Sequence, residues 1–133
     1  MSMPVALPEL SQAMERYRFA YLLTHSAQGA PHAVAVVPVL EGGVLKIGGI
    51  GRRTRQNLLA RPDVGLVWPP GDPSGYSLIV DGQAALAGEV LHVVPSRAVL
   101  HRPAPRPGPA EPGACGSDCV ELPVPAPAGD APR

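Results

Sequence analysis

The sequence predicts a mainly β domain with small helices, built as an antiparallel barrel, on three observations. About six or seven short runs of strand-forming residues follow one another at hairpin-like intervals. Only two stretches carry helical spacing, and both are too short for a doubly wound parallel sheet. Hydrophobic patterning stops near residue 102, beyond which proline dominates.

A chain of 133 residues is read as one domain covering residues 1–102, with a Pro-rich tail at 103–133. A core of that size folds with little margin, so a partner subunit would help. Net charge is zero, with eleven acidic residues against eleven Lys and Arg. That balance argues against a general nucleic-acid or membrane-surface binder, which needs a broad basic excess. Ten of the eleven cations are arginine, the side chain suited to gripping carboxylate or phosphate with a fixed fork. No apolar run reaches the roughly 20 residues of a bilayer span. The start, MSMPVALPELSQ, lacks the basic, apolar and small-residue regions of a signal peptide, so a cytoplasmic location is expected.

In chain order, residues 8–18 read as a short amphipathic helix covering one end of the sheet or barrel. Leu7, Leu10, Met14 and Tyr17 recur there at three- and four-residue steps. Residues 19–24 (FAYLLT) form the first strand, and SAQGAP turns the chain, with Gly29 free to take positive φ. Residues 32–40 (HAVAVVPVL) form a second, antiparallel strand in which Pro38 marks an edge, a bulge or an opening. Glu41, Gly42 and Gly43 make the next tight turn. Late strands are expected at 76–86, 89–94 and 98–101, with a turn or bend at Pro95, Ser96 and Arg97.

Between them lies the stretch on which function turns, VLKIGGIGRRTRQNLLARPDVGLVW at 44–68. Val44, Leu45 and Ile47 are strand formers, and Gly48, Gly49 and Gly51 remove side chains where another group must come close. Thr54 is read as the N-cap of a helix through Asn57, Leu58 and Leu59 that Pro62 helps to end. Five cations (Lys46, Arg52, Arg53, Arg55 and Arg61) precede the first acid, Asp63. Free helix N–H groups beside arginines make a place for phosphate or another small anion. The same residues also describe a solvated basic loop, and neither GxGxxG nor GxxxxGK[ST] is present to decide.

The other polar residues are less informative. His25, His32, His92 and His101 are scattered without metal-ligand spacing, and His32 is the best site candidate among them. Ser26, Ser74, Ser77 and Ser96 assemble into no nucleophile–base–orienter set. Cys115 and Cys119 fit a reversible disulfide, half of a shared metal site, or no role at all. The tail that carries them is expected to be disordered.

Taken together, the hairpin FAYLLTHSAQGAPHAVAV, the segment GRRTRQNLLARPDVGLVW, the strand VDGQAAL and the ending VLHRP resemble the pyridoxamine 5'-phosphate oxidase-like, FMN-binding split-barrel family. The most specific piece is Arg52-x-x-x-x-Asn57-Leu58-x-x-x-Pro62-x-Val64. The resemblance runs from about residue 8 to about 102.

It implies a six-stranded antiparallel split β-barrel that forms a homodimer with cofactor at the interface. It further implies an FMN-dependent oxidoreductase passing a hydride or electrons to a small-molecule substrate. Val34, Val36, Val37, Ile47, Gly48 and Gly49 would lie against the flavin ring, and Arg52, Arg53 and Thr54 would hold the phosphate. Asn57 belongs to the same motif, while Trp68 and Gln83 would reach in from facing strands or the other subunit. Many members carry lysine where this chain has Thr54, so charge there must come from Arg53 or Arg55. The segment that true pyridoxamine phosphate oxidases use on their substrate is missing, so that activity is not expected. Relatives use a deazaflavin coenzyme or haem instead of FMN. A non-catalytic binding or sensing dimer, with a redox- or partner-responsive Cys tail, is the alternative.

Overall fold

The alternation in the sequence is realised as eight antiparallel strands in one sheet, in a computed structural model that describes residues 1–103. The segment from 104 onward, with Cys115, Cys119 and the expected tail, lies outside the described residues. The strands are β1 Ser2–Pro4, β2 Ala20–His25, β3 Pro31–Val36, β4 Val39–Glu41, β5 Val44–Ile47, β6 Asp63–Trp68, β7 Ser77–Ala87 and β8 Val90–His101. Two helices join them, α1 Leu10–Met14 and α2 Arg52–Ala60.

The sheet order is β3-β2-β6-β7-β8-β5-β4, with β1 added on β8. The count is therefore eight strands rather than six, and the sheet is not closed by hydrogen bonds. Strands β3 and β4 follow each other directly in the chain yet lie at the two ends of the order. The seam between them is where the barrel is split. Pro38, buried between β3 and β4, cannot donate a ladder bond, so the single strand expected at 32–40 divides there.

Period-two burial builds the interior. In β2, Ala20, Leu22 and Thr24 are buried while Tyr21 and Leu23 remain about 40% exposed. Leu45 and Ile47 of β5, Leu66 and Trp68 of β6, Leu78 and Val80 of β7, and Leu91 and Val93 of β8 complete the core. Each fully buried leucine contributes about 1.5–3 kcal/mol relative to an exposed one. Leu10 of α1 and Leu58 of α2 join the same cluster.

Three further expectations are corrected, and one strand had none. The helix expected at 8–18 is a 3₁₀ turn at Leu7–Glu9 followed by α1, and Leu7 is exposed. The strand β1 has no sequence signal, because all three of its residues are exposed and show no alternation. The strands expected at 89–94 and 98–101 are one strand, β8, which runs straight through Pro95, Ser96 and Arg97. The pairing shifts there instead of turning: Gly82 opposes Pro95, whereas Asp81 opposes Arg97, so Ser96 is an extra residue. Its Oγ donates to the Asp81 carbonyl at 3.1 Å. Finally, Gly51 rather than Thr54 occupies the N-cap of α2, with extended backbone and no capping side chain.

Candidate functional site

Two loops and one strand meet at the seam. β3 runs up one side, the chain leaving β5 passes along the other, and Phe19, just ahead of β2, flanks the mouth. They enclose a cleft of about 420 Å³ lined by Phe19, residues 34–37 and residues 48–51. The hairpin register that sets β3 there is regular, from Ala20 opposite Val36 to His25 opposite Pro31.

The glycines keep the cleft open. A Cβ added at Gly48, Gly49 or Gly51 would meet no atom within 4 Å, so nothing fills the space above this stretch. Gly49 also has φ of 71°, which L side chains rarely adopt. Opposite lie Val34, Ala35, Val36 and Val37, of which Val34 and Val36 also pack against the core.

Charge lies at one end. Gly51 lines the cleft and caps α2, so the first helical N–H groups, which have no partner within the helix, begin at the cleft. Of the five cations noted in this stretch, two have partners. Lys46 lies 3.4 Å from Glu41, and Arg61 Nη2 donates to the Ala27 carbonyl at 2.9 Å. The guanidinium groups of Arg52, Arg53 and Arg55 make no hydrogen bond or ion pair among the described residues. Arg52 and Arg53 are exposed.

The cleft thus brings together Val34, Val36, Val37, Gly48 and Gly49, with Arg52 and Arg53 just beyond Gly51. Other expected site residues are elsewhere. Ile47 and Trp68 are 1% and 2% exposed and belong to the core. Thr54 is 1% exposed, with its Oγ1 buried and unpartnered. Asn57 is buried and donates to Thr24 Oγ1, tying α2 to β2. Gln83 hydrogen-bonds the Asp63 carboxylate and lines a different, larger cavity of about 670 Å³. Phe19 and Ile50 line the cleft without having been singled out. Their alternation and spacing match ordinary strand and loop residues, and only the fold brings them to one place.

The cleft suits a flat ring with an anionic end. Largely apolar side chains accept the ring, while helix N–H groups and guanidinium groups without a partner among the described residues suit phosphate. Among the described residues no cluster of three metal-ligating side chains occurs. None of the four histidines lines the cleft. Among the same residues, no helix is long and apolar enough to cross a membrane.

No protein-family model matches the chain. It is 47% identical over 137 aligned residues to "Uncharacterized protein Mb0449c" of Mycobacterium bovis, covering 91% of this chain and 96% of that protein. "Uncharacterized protein MT0457" of Mycobacterium tuberculosis matches to the same extent. Among solved structures, the "Putative Pyridoxamine 5'-phosphate oxidase" of Listeria innocua superposes with a TM-score of 0.60 at 15% identity, over 71% of this chain and 96% of that one. An F420 reductase gives 0.55 at 19% identity, over 66% and 94%. The haem storage protein HutZ of Vibrio cholerae gives 0.54 at 15%, over 69% and 91%. The chain belongs to one family with the two mycobacterial proteins, built on the pyridoxamine 5'-phosphate oxidase-like split-barrel fold.

Proposed function

We propose that this chain is a flavin-binding, oxidoreductase-like protein whose FMN lies in the seam cleft, phosphate toward the first turn of α2. The observation that carries this reading is the pairing of a glycine-floored cleft with a helix that starts at its edge, whose first residues, Arg52 and Arg53, have side chains without a partner among the described residues. When bound, the flavin supplies hydride or electron transfer.

The chain's own residues bind and orient. Val34, Ala35, Val36 and Val37 offer an apolar wall, and the absent side chains of Gly48 and Gly49 allow close approach by a flat ring. Arg52 and Arg53 supply the charge, because the buried Thr54 does not carry the lysine charge expected at this position. Acceptor and electron donor are small molecules that reach the cleft mouth.

A homodimer belongs to the same reading. Tyr21 and Leu23 are exposed on the outer face of β2, opposite Ala35 and Val67 and opposite Ala33 and Gly65. An apolar sheet face of this kind is suited to burial against a second copy. Haem is a weaker occupant than flavin, since the cleft lining offers no His, Cys, Met or Tyr as an axial ligand. A deazaflavin coenzyme shares the flat ring and the anionic end.

Titration with FMN, riboflavin and haem, followed by absorbance and flavin fluorescence, tests the reading. Yellow protein as purified, or FMN bound more tightly than riboflavin, is the expected result. Failure to bind any flavin at high micromolar concentration overturns it. Reduction of the bound flavin by NADH or NADPH, and its reoxidation by an acceptor, separates an oxidoreductase from a binding protein.

A further inference from the structure

Phe19 is the only phenylalanine in the chain and, among the described residues, the only aromatic side chain lining the seam cleft. It is half-buried and lies immediately before β2. Its ring lies edge-on to Tyr21, with centroids 5.2 Å apart and planes at 82°. That T-shaped arrangement is a favoured geometry for aromatic pairs and limits how the Phe19 ring can turn. Tyr21 is itself held between two strands, in register with Ala35 on one side and Val67 on the other. The remaining lining is aliphatic or glycine, so it offers shape without the capacity to stack.

We propose that Phe19 is the specificity-determining residue of this cleft, packing its ring against a planar aromatic ligand and so selecting that ligand over ring-free anions. The inference rests on the flavin reading and adds a division of labour to it. Arg52 and Arg53 respond to the anionic end, whereas Phe19 responds to the ring. The two contributions are separable with one pair of probes, since FMN and riboflavin share the ring and differ in the phosphate. A Phe19 that merely braces Tyr21 has no effect specific to the ring.

The test uses the full chain carrying Phe19→Leu, Phe19→Ala or Phe19→Tyr, with FMN, riboflavin and inorganic phosphate as probes. Leucine keeps apolar bulk if alanine fails to fold, and size-exclusion chromatography checks that the oligomeric state is retained. Phe19→Leu should weaken FMN and riboflavin by the same factor, roughly tenfold, leaving their ratio unchanged. Phe19→Tyr should stay within about threefold of the unaltered chain, because the ring is kept. The inhibition constant of inorganic phosphate against FMN should be the same in all variants. Riboflavin bound by Phe19→Leu as tightly as by the unaltered chain overturns the inference and leaves the flavin reading standing. An unaltered chain that binds neither flavin removes both.

Discussion

Asn57 Nδ2 donates a 3.0 Å hydrogen bond to Thr24 Oγ1, with both side chains buried. The bond fastens the helix that follows the glycine-bearing loop to the first strand of the hairpin, across 33 residues of sequence. Asn57→Ala should cost about 1–3 kcal/mol, because the partner loses its bond inside a low-dielectric interior. Thr24→Val should cost a similar amount. Asn57→Leu combined with Thr24→Val should cost less than the sum of the single changes, since neither side then leaves a stranded polar atom. Denaturant unfolding of the four proteins measures this, and strict additivity would show that the contact carries no coupling.

The arginines make a separate prediction about binding. Arg52→Ala should weaken FMN by roughly 1.5–3 kcal/mol if the residue makes a charge-assisted phosphate contact. Riboflavin affinity should be unaffected. Arg61 is the control, because its guanidinium is already engaged by the Ala27 carbonyl. Equal losses in the Arg52→Ala and Arg61→Ala variants, read by fluorescence titration, would remove Arg52 from the site.

Two glycines should respond in opposite ways to the same small change. A Cβ at Gly82 would lie 2.7 Å from Val93 Cγ1 and 2.7 Å from the Val94 carbonyl oxygen, both belonging to β8. Gly82→Ala should therefore destabilise the fold by about 1–3 kcal/mol, as overpacking does. At Gly48 a Cβ meets nothing within 4 Å. Gly48→Ala should leave the melting temperature nearly unchanged and lower flavin affinity. A stable Gly48→Ala protein with full flavin affinity would mean that the cleft floor is not where the ring lies.

Tyr17 predicts an alkaline limit. Its Oη donates to the Tyr76 carbonyl at 2.7 Å, and burial pushes its phenol pKa above the usual value, against a smaller lowering by Arg16. The folded state thus holds this proton more tightly than the unfolded chain does. The contribution to stability is complete below about pH 10 and is lost as pH rises through the folded value. Tyr17→Phe should lower stability at neutral pH by about 1 kcal/mol and flatten the decline above pH 10. Thermal melts from pH 8 to about 11 check the slope.

The proposed dimer predicts the effect of charge on the outer face. Leu23 is 40% exposed there and lies opposite Gly65. Leu23→Lys should convert a dimer to a monomer while leaving the core intact, as read by light scattering. An unaltered chain that is already monomeric at micromolar concentration would sink the proposed interface.

Much of the barrel was legible because β2, β6 and the first half of β7 alternate between core and outside with period two. The tight turn before β5 was legible for a similar local reason, since Gly42 and Gly43 both take positive φ. Other elements failed where the deciding contact is remote. Pro95 reads as a turn residue, yet the bulge opposite Gly82 absorbs its missing donor and β8 continues. Thr54 reads as a cap, yet α2 begins at Arg52, which puts its side chain inside the fold.

The amino-acid order alone determined which side chains face inward, where small residues interrupt a strand, and that arginines cluster after them. Those properties follow from side-chain period and local backbone preference, which act over a few residues. Only the tertiary structure decided that β3 and β4 would form the two ends of one sheet, and that Phe19 would stand beside Gly48 across a cleft. It also decided that Asn57 and Trp68 serve the interior. Strand order depends on non-local pairing, and no local pattern encodes which distant segment a strand will meet.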